Sequence, residues 1–276
     1  MNFNFPLILP SSKKIRVPEV RNRDIFDLIK YCMHDDIEGF NTCINNLIFS
    51  KTDQLNIVDK FYTLLFLRIL YIGDQISLPG NTISGYVDIS LNEMLEKFEK
   101  IEIPQVEIVV IDDFTVELGI PTKIYFSSID ELYFDLIKSV KFGGDTIRFD
   151  NIDETQKDLI ISALPLKTTQ RIIKFYTALS KLIGEIVVVT RNNTFNLDQV
   201  NLNFLSNQPC MFIKQLFSQD LNSFLEFMYH FVNKIGGTFN DFLDLNINDC
   251  KIMFNFYVDE VKKQNDELKS DNKRFK

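Results

Sequence analysis

The chain is short of the residues that most catalytic chemistry needs. It has two histidines, His34 and His230, and four scattered cysteines, Cys32, Cys43, Cys210 and Cys250, among 276 residues. Zinc needs three or four close ligands, commonly spaced C-x2-4-C or H-E-x-x-H, and neither spacing occurs. The thiols read as reduced and mostly buried, because a chain of this length can bury a core without disulfides. The ten glycines never form G-x-G-x-x-G or a Walker loop, so no backbone cradle for phosphate is encoded. A G-x-S-x-G elbow is also missing. The longest apolar run, Phe61 to Ile72, is interrupted by Arg68 and falls well short of the ~20 residues that span a bilayer. Met1-Asn2-Phe3-Asn4-Phe5-Pro6 has no basic region ahead of a long apolar core, so no signal peptide is expected.

Tryptophan is absent and alanine occurs only at Ala163 and Ala178, whereas phenylalanine appears 26 times and tyrosine nine. Abundant Ile, Asn, Lys and Phe fit an AT-rich coding sequence, which accounts for part of the aromatic excess. A hydrophobic share of 45% and a charged share of 25% are those of a globular protein and too apolar for a disordered one. Net charge is −8, the wrong sign for a general nucleic-acid binder, which must neutralise phosphate. The length predicts one or two domains.

Residues Phe3 to Leu9 and Ile15 to Val20 predict a hairpin around Pro10-Ser11-Ser12-Lys13. Three helices should follow. Asn22 is the expected cap of the first, with Ile25, Phe26, Leu28 and Ile29 inward. Asp35-x-x-Glu38 opens the second, carrying Phe40, Cys43, Ile44 and Leu47. Asn56 caps the third, Ile57 to Ile72, which stops at Gly73 and is apolar nearly all round, hence central to its half. Residues 75–100 read as a turn-rich stretch and a short helix from Ser90 to Lys100. Val106 to Ile111, Phe114 to Leu118 and Lys123 to Phe126 predict a β meander. Ser128-x-x-Glu131 opens a helix to about Lys141, and Gly143-Gly144 releases a strand from Thr146 to Phe149. A helix from Asp153 ends at Leu164-Pro165; the next begins at Thr168 or Thr169, with Ile172, Ile173, Tyr176, Leu179, Leu182 and Ile183 at helical spacing, and closes at Gly184. Glu185 to Thr190 predicts a strand turning at Asn192-Asn193.

The last third predicts helix. Phe217, Leu221, Phe224, Met228, Phe231 and Ile235 recur every three or four residues up to Gly236-Gly237. From about Asn248, Phe254, Val258, Val261 and Leu268 share one helical face. Residues 262–276 then turn polar, with six Lys or Arg against three acids. This end reads as a fraying helix whose cations suit its dipole, or as one that orders in a partner's groove.

His34 beside Asp35-Asp36 could be a base with an orienting carboxylate, but it reads as part of a polar helix connection. His230, inside a Phe-rich helix, reads as a core-edge residue. Asp244-x-Asn246-x-Asn248 copies the start of a calcium loop, yet Asp249 stands where glycine is needed and Asn255 where the bidentate glutamate belongs. Asp112-Asp113 reads as a solvated turn rather than a glycosidase pair. Lys13, Lys14, Arg16, Arg21 and Arg23 form the densest basic patch, read as a solvated hairpin edge. Asn192-Asn193-Thr194 is a sequon that reads as a polar turn. No catalytic residue, cofactor or metal is expected.

Four segments carry a family resemblance. They are Leu9-Pro10-Ser11-Ser12-Lys13-Lys14-Ile15-Arg16; Val58-Asp59-Lys60-Phe61-Tyr62 with Leu67-Arg68 and Ile72-Gly73-Asp74; Asp158 to Pro165 with Phe175 to Leu182; and the aromatic stretch Phe224 to Phe231 before the charged tail. In this order they resemble the T4-type bacteriophage baseplate hub assembly family. The likeness departs after Glu185 to Thr190, where some relatives carry a close cysteine pair and this chain has Arg191-Asn192-Asn193. Ser180 also replaces an expected proline.

The resemblance implies a non-enzymatic, late-expressed protein of the infected cytoplasm or the virion tail. It would bind hub, tail-lysozyme or tape-measure proteins, as an assembly factor or a minor hub subunit, with a homo-oligomer left open and neither nucleic acid nor membrane as partner. Its rivals are a permanent structural tail protein and an uncharacterised enzyme. The expected fold is α+β and helix-rich, with an N-terminal hairpin, a central antiparallel meander and a helical C-terminal part. Its expected segments are 1–103, 104–247 and 248–276. Phe254, Tyr257, Val258 and Val261 are the candidate partner-contact residues.

Overall fold

The computed structural model describes residues 6–16, 19–34, 36–44, 46, 55–79, 86–103, 106–111, 114–123, 126, 128–184, 187–189, 194–196, 216 and 221–274. The fold is the expected α+β, helix-rich one, with small antiparallel sheets. It forms two compact units, each discontinuous in sequence. A central unit holds residues 6–15 and 48–216, and a terminal unit holds 1–5, 16–47 and 217–276.

In the central unit, β1 (Pro6–Ile8) and β2 (Lys14–Arg16) pair as the expected hairpin, with Ser12 at φ 64° in its turn. Helix α3 (Ile57–Tyr71), which follows α1 and α2 of the other unit in chain order, starts where Asn56 accepts the Asp59 N–H at 2.9 Å. As its all-round apolar sequence predicts, α3 is the core helix: Ile57, Val58, Phe61, Leu64, Leu65 and Leu67 are buried. Its C-terminus is closed by Gly73 at φ 139°, a conformation that suits a residue without Cβ.

Residues 75–90, read as turns, instead form a hairpin of β3 (Gln75–Pro79) and β4 (Tyr86–Ser90), with Ile76 opposite Ile89 and both buried. The alternation of apolar Ile76 and Leu78 with polar Ser77 fits a strand, but Pro79-Gly80-Asn81 and Gly85 are equally strong turn signals. Helix α4 (Leu91–Phe98) follows directly.

The meander is a four-stranded antiparallel sheet in chain order: β5 (Glu107–Ile111), β6 (Phe114–Leu118), β7 (Ile137–Phe142) and β8 (Asp145–Arg148). One row, Val109, Val116 and Val140, is buried. Two expectations are corrected here. Lys123 and Phe126 lie outside any strand, and Ile124 and Tyr125 lie outside the described residues. The Asp135 carboxylate takes the N–H groups of Thr122 and Lys123, at 2.5 and 2.8 Å, that a ladder would need. Helix α5 (Ile129–Leu136), capped by Ser128 accepting from the Glu131 N–H at 3.2 Å, stops five residues before Lys141 because the chain turns into β7 at Ile137. Gly143 and Gly144, at φ 59° and 106°, make the tight turn from β7 to β8.

Asp153 caps α6 (Glu154–Ala163) in a reciprocal box with Gln156. Helix α7 (Leu166–Gly184) begins earlier than Thr168, since the Pro165 carbonyl already accepts the N–H groups of Thr168 and Thr169. Strands β9 (Val187–Val189) and β10 (Thr194–Asn196) pair; the expected turn between them lies outside the described residues.

The terminal unit contains α1 (Asn22–Met33), α2 (Ile37–Ile44), α8 (Leu221–Ile235), α9 (Phe239–Asp244) and α10 (Ile247–Arg274). Asn22 does not cap α1. Arg21 takes that position, with its N–H donating to Asp24 at 2.8 Å, while the buried Asn22 amide donates to the Phe242 carbonyl at 2.9 Å. Ile25, Leu28 and Ile29 are buried as expected, and Phe26 is half-buried against the Phe224 ring, 5.9 Å away. Asp36 accepts the Gly39 N–H at the start of α2, where Phe40 and Ile44 are buried; Asp35 and Leu47 lie outside the described residues. Helix α9 was not expected. It is short and opens on Thr238 and Asp241, which cap each other.

Candidate protein-contact surface

The terminal unit is built around aromatic rings. On α8 the spacing three, four places Phe224, Phe227 and Phe231 on one face, and the fully buried Phe242 of α9 meets them at centroid distances of 5.8, 5.7 and 5.3 Å. These tilted and edge-on contacts suit ring quadrupoles and add to simple burial. Cys250, at the start of α10, closes this cluster, and burial pushes its thiol up to about 11. Burial, with Asp27 and Asp24 nearby, raises the Cys43 thiol to about 12. Both shifts run opposite to the lowered pKa of an activated thiol.

Helix α10 carries the candidate contact residues. The Phe254 ring lies 5.3 Å from Phe227 of α8 and 6.3 Å from Tyr257. Phe254, Tyr257, Val258 and Val261 are all half-buried on one side of the helix, the side that packs on α8. At 100° per residue, Ile252, Met253 and Phe256 point elsewhere. All three are exposed, Phe256 by 72%. The sequence reading missed them, although the steps from Ile252 to Phe256 and from Met253 to Phe256 are four and three residues. The stronger stripe through Phe254 and Val261 masked this second one. Exposed Lys251, Asp259, Glu260 and Lys263 surround the patch, giving an apolar centre with a charged rim. Residues 262–266 are exposed as well.

Two of the segments behind the family resemblance, the hairpin turn and the one running through α3 to Asp74, make buried polar contacts within the central unit. Ser11 in the hairpin turn donates its N–H and hydroxyl to the buried Asp59 carboxylate, at 3.0 and 2.7 Å. Arg68 is fully buried; its Nε donates to the Leu216 carbonyl at 2.7 Å, Nη1 to Gly73 at 2.5 Å and Nη2 to Gln75 at 3.1 Å. Burial pulls its pKa down to about 10, against the opposing pull of Asp74. Asp74 accepts from the Asn92 amide at 3.1 Å, and its carbonyl accepts the Leu91 N–H at 2.7 Å.

His34 is exposed at the end of α1, and His230 is exposed on α8, where its described contact is the Tyr229 ring at 5.8 Å. His230 was expected at the core edge; it points outward because α8 turns Phe231 inward instead. Among the described residues no three His, Cys, Asp or Glu side chains are grouped to hold a metal ion. Asp244 pairs with Arg23 at 2.9 Å, and Asn246 accepts the Asn248 N–H at 2.8 Å at the start of α10. That pattern serves as a helix start and an ion pair. Lys13, Lys14, Arg16 and Arg21 are exposed. Asp112, Asp113, Cys210 and the sequon asparagines lie outside the described residues. Among the described residues no helix is long and apolar enough to cross a membrane.

A family model described as T4 bacteriophage base plate protein matches residues 2–202. No curated protein matches the chain, and no solved structure matches it.

Proposed function

Because this chain belongs to the T4 bacteriophage base plate protein family, we propose that it acts by binding other tail proteins while the baseplate hub is built, as an assembly factor or a minor hub subunit, and turns over no substrate. Membership supports a location in the virion tail or the infected cell. The observation that carries the finer reading is Phe256, 72% exposed beside Ile252 and Met253 on a helix whose other side is already held by α8. An aromatic anchor inside a charged rim is the usual make-up of an interface hot spot, and burying one contributes about 2 kcal/mol or more. Hub, tail-lysozyme or tape-measure proteins are the proposed occupants, and Phe254, Tyr257, Val258 and Val261 would support the contact by fixing α10.

Mass spectrometry of proteins retained by a tagged copy from infected cells, set beside purified particles, tests this. Enrichment of hub components, lost with Phe256→Asp at unchanged helicity, is the expected result. Retention only in precursors assigns an assembly factor, and presence in finished particles a subunit. A capture free of tail proteins would contradict the proposal.

A further inference from the structure

Helix α6 contains no buried side chain. Ten residues is below the length at which an isolated helix holds its shape, about 12–15 residues, so packing must support it. Ile160 and Ile161 are half-buried, but Leu159 is 68% exposed and Ala163 is exposed on the same face, one turn on. The chain then turns at Leu164-Pro165, and α7 starts with Leu166, 74% exposed, followed two turns later by exposed Ile173. The extended backbone of Leu164, at φ −65° and ψ 134°, ends α6 and separates the two arms.

Charge divides across the corner. The α6 arm presents exposed Asp153, Glu154 and Asp158, while its one cation, Lys157, lies 5.7 Å from the Phe134 ring. The α7 arm presents exposed Lys167, Arg171 and Lys174. A partner of uniform charge would be attracted by one arm and repelled by the other. A second copy turned by a two-fold axis presents the opposite sign to both.

We propose that the α6–α7 corner is a self-association surface, on which a second copy docks about a two-fold axis. Each copy's α6 lies along the other's α7, with Leu159, Ala163 and Leu166 at the centre and the acidic and basic arms paired at the rim. This is independent of the hub contact at α10.

Analytical ultracentrifugation of the full chain over a concentration series, at low and physiological salt, tests it. A dimer that weakens with salt is expected, and Leu166→Glu should weaken it at least about tenfold at unchanged melting behaviour. Glu154→Lys with Asp158→Lys should also weaken it, and adding Arg171→Glu with Lys174→Glu to the same chain should restore it, an outcome that misfolding cannot mimic. A monomer at every concentration would overturn the proposal. So would a dimer indifferent to both the leucine and the charge changes, or a different tail protein found seated on this corner of a monomeric chain.

Discussion

At the scale of single residues, the arrangement around Arg68 decides most. A guanidinium with no solvent exposure is tolerable because three carbonyls replace its water: those of Gly73, Gln75 and Leu216. The rigid planar fork reaches all three together, which a lysine cannot do. Arg68→Leu keeps the apolar stem but leaves these carbonyls without a donor. It should destabilise the protein by about 2 kcal/mol, read as a lowered midpoint in urea, since the bond to Leu216 is buried and a stranded buried group costs ~1–3 kcal/mol, while those to Gly73 and Gln75 are only part-buried. Arg68→Lys should recover part of that. The family likeness drew attention to Leu67-Arg68 and Ile72-Gly73-Asp74, but nothing local showed that one acceptor lies 148 positions away in sequence. Asp59 follows the same pattern: its place in α3 was legible, its bond to Ser11 was not. Phe256 was missed for another reason. A periodicity scan returns the strongest stripe on a helix, and on α10 that is the stripe facing α8.

At the scale of elements, caps and apolar spacing made most helices legible. Asn56, Ser128 and Asp153 each cap the helix they were expected to open. The failures lie where pairing partners are distant. Tyr133, Leu136, Ile137 and Val140 fit a continued helical face as well as they fit a helix followed by a strand. Val140 is buried between Val116 and Ile147, its partners on the neighbouring strands, and that register selects strand. Helix α9 escaped because six residues carry too little periodicity, although Thr238-x-x-Asp241 is a readable start. Its cap is also sensitive to pH. Hydrogen bonds from the Thr238 hydroxyl and N–H hold the Asp241 carboxyl below its usual 3.8. The carboxylate is therefore favoured by folding, so its contribution is present above pH ~4 and is lost as pH falls through the lowered pKa. Asp241→Asn should flatten the low-pH slope of stability, checked by urea titrations between about pH 3 and 6.

At the scale of the whole molecule, the terminal unit is closed by contacts with no local signature. Arg21 bridges to Asn246, Asn22 bonds to Phe242, and Arg23 pairs with Asp244. A walk along the chain sees residues 19–23 as a helix start and 242–247 as a helix link, and cannot join them. The broad fold class was nonetheless readable from hairpin, meander and helical end, because each rests on short-range patterns. The family was legible by a different route: four short segments in order resembled it, and the match over residues 2–202 bears that out. The exposed aromatic patch on α10 is what the structure adds to the proposal of a binding role.

The most direct test of that account is complementation of a phage deprived of this protein. Supplying the Phe256→Asp chain, folded as judged by circular dichroism, should leave tails stalled before hub completion. Supplying a chain with His34→Ala and His230→Ala together should restore wild-type yield. Full yield from the Phe256 variant, with failure of the double-histidine variant, would contradict the account and turn attention from surfaces to chemistry.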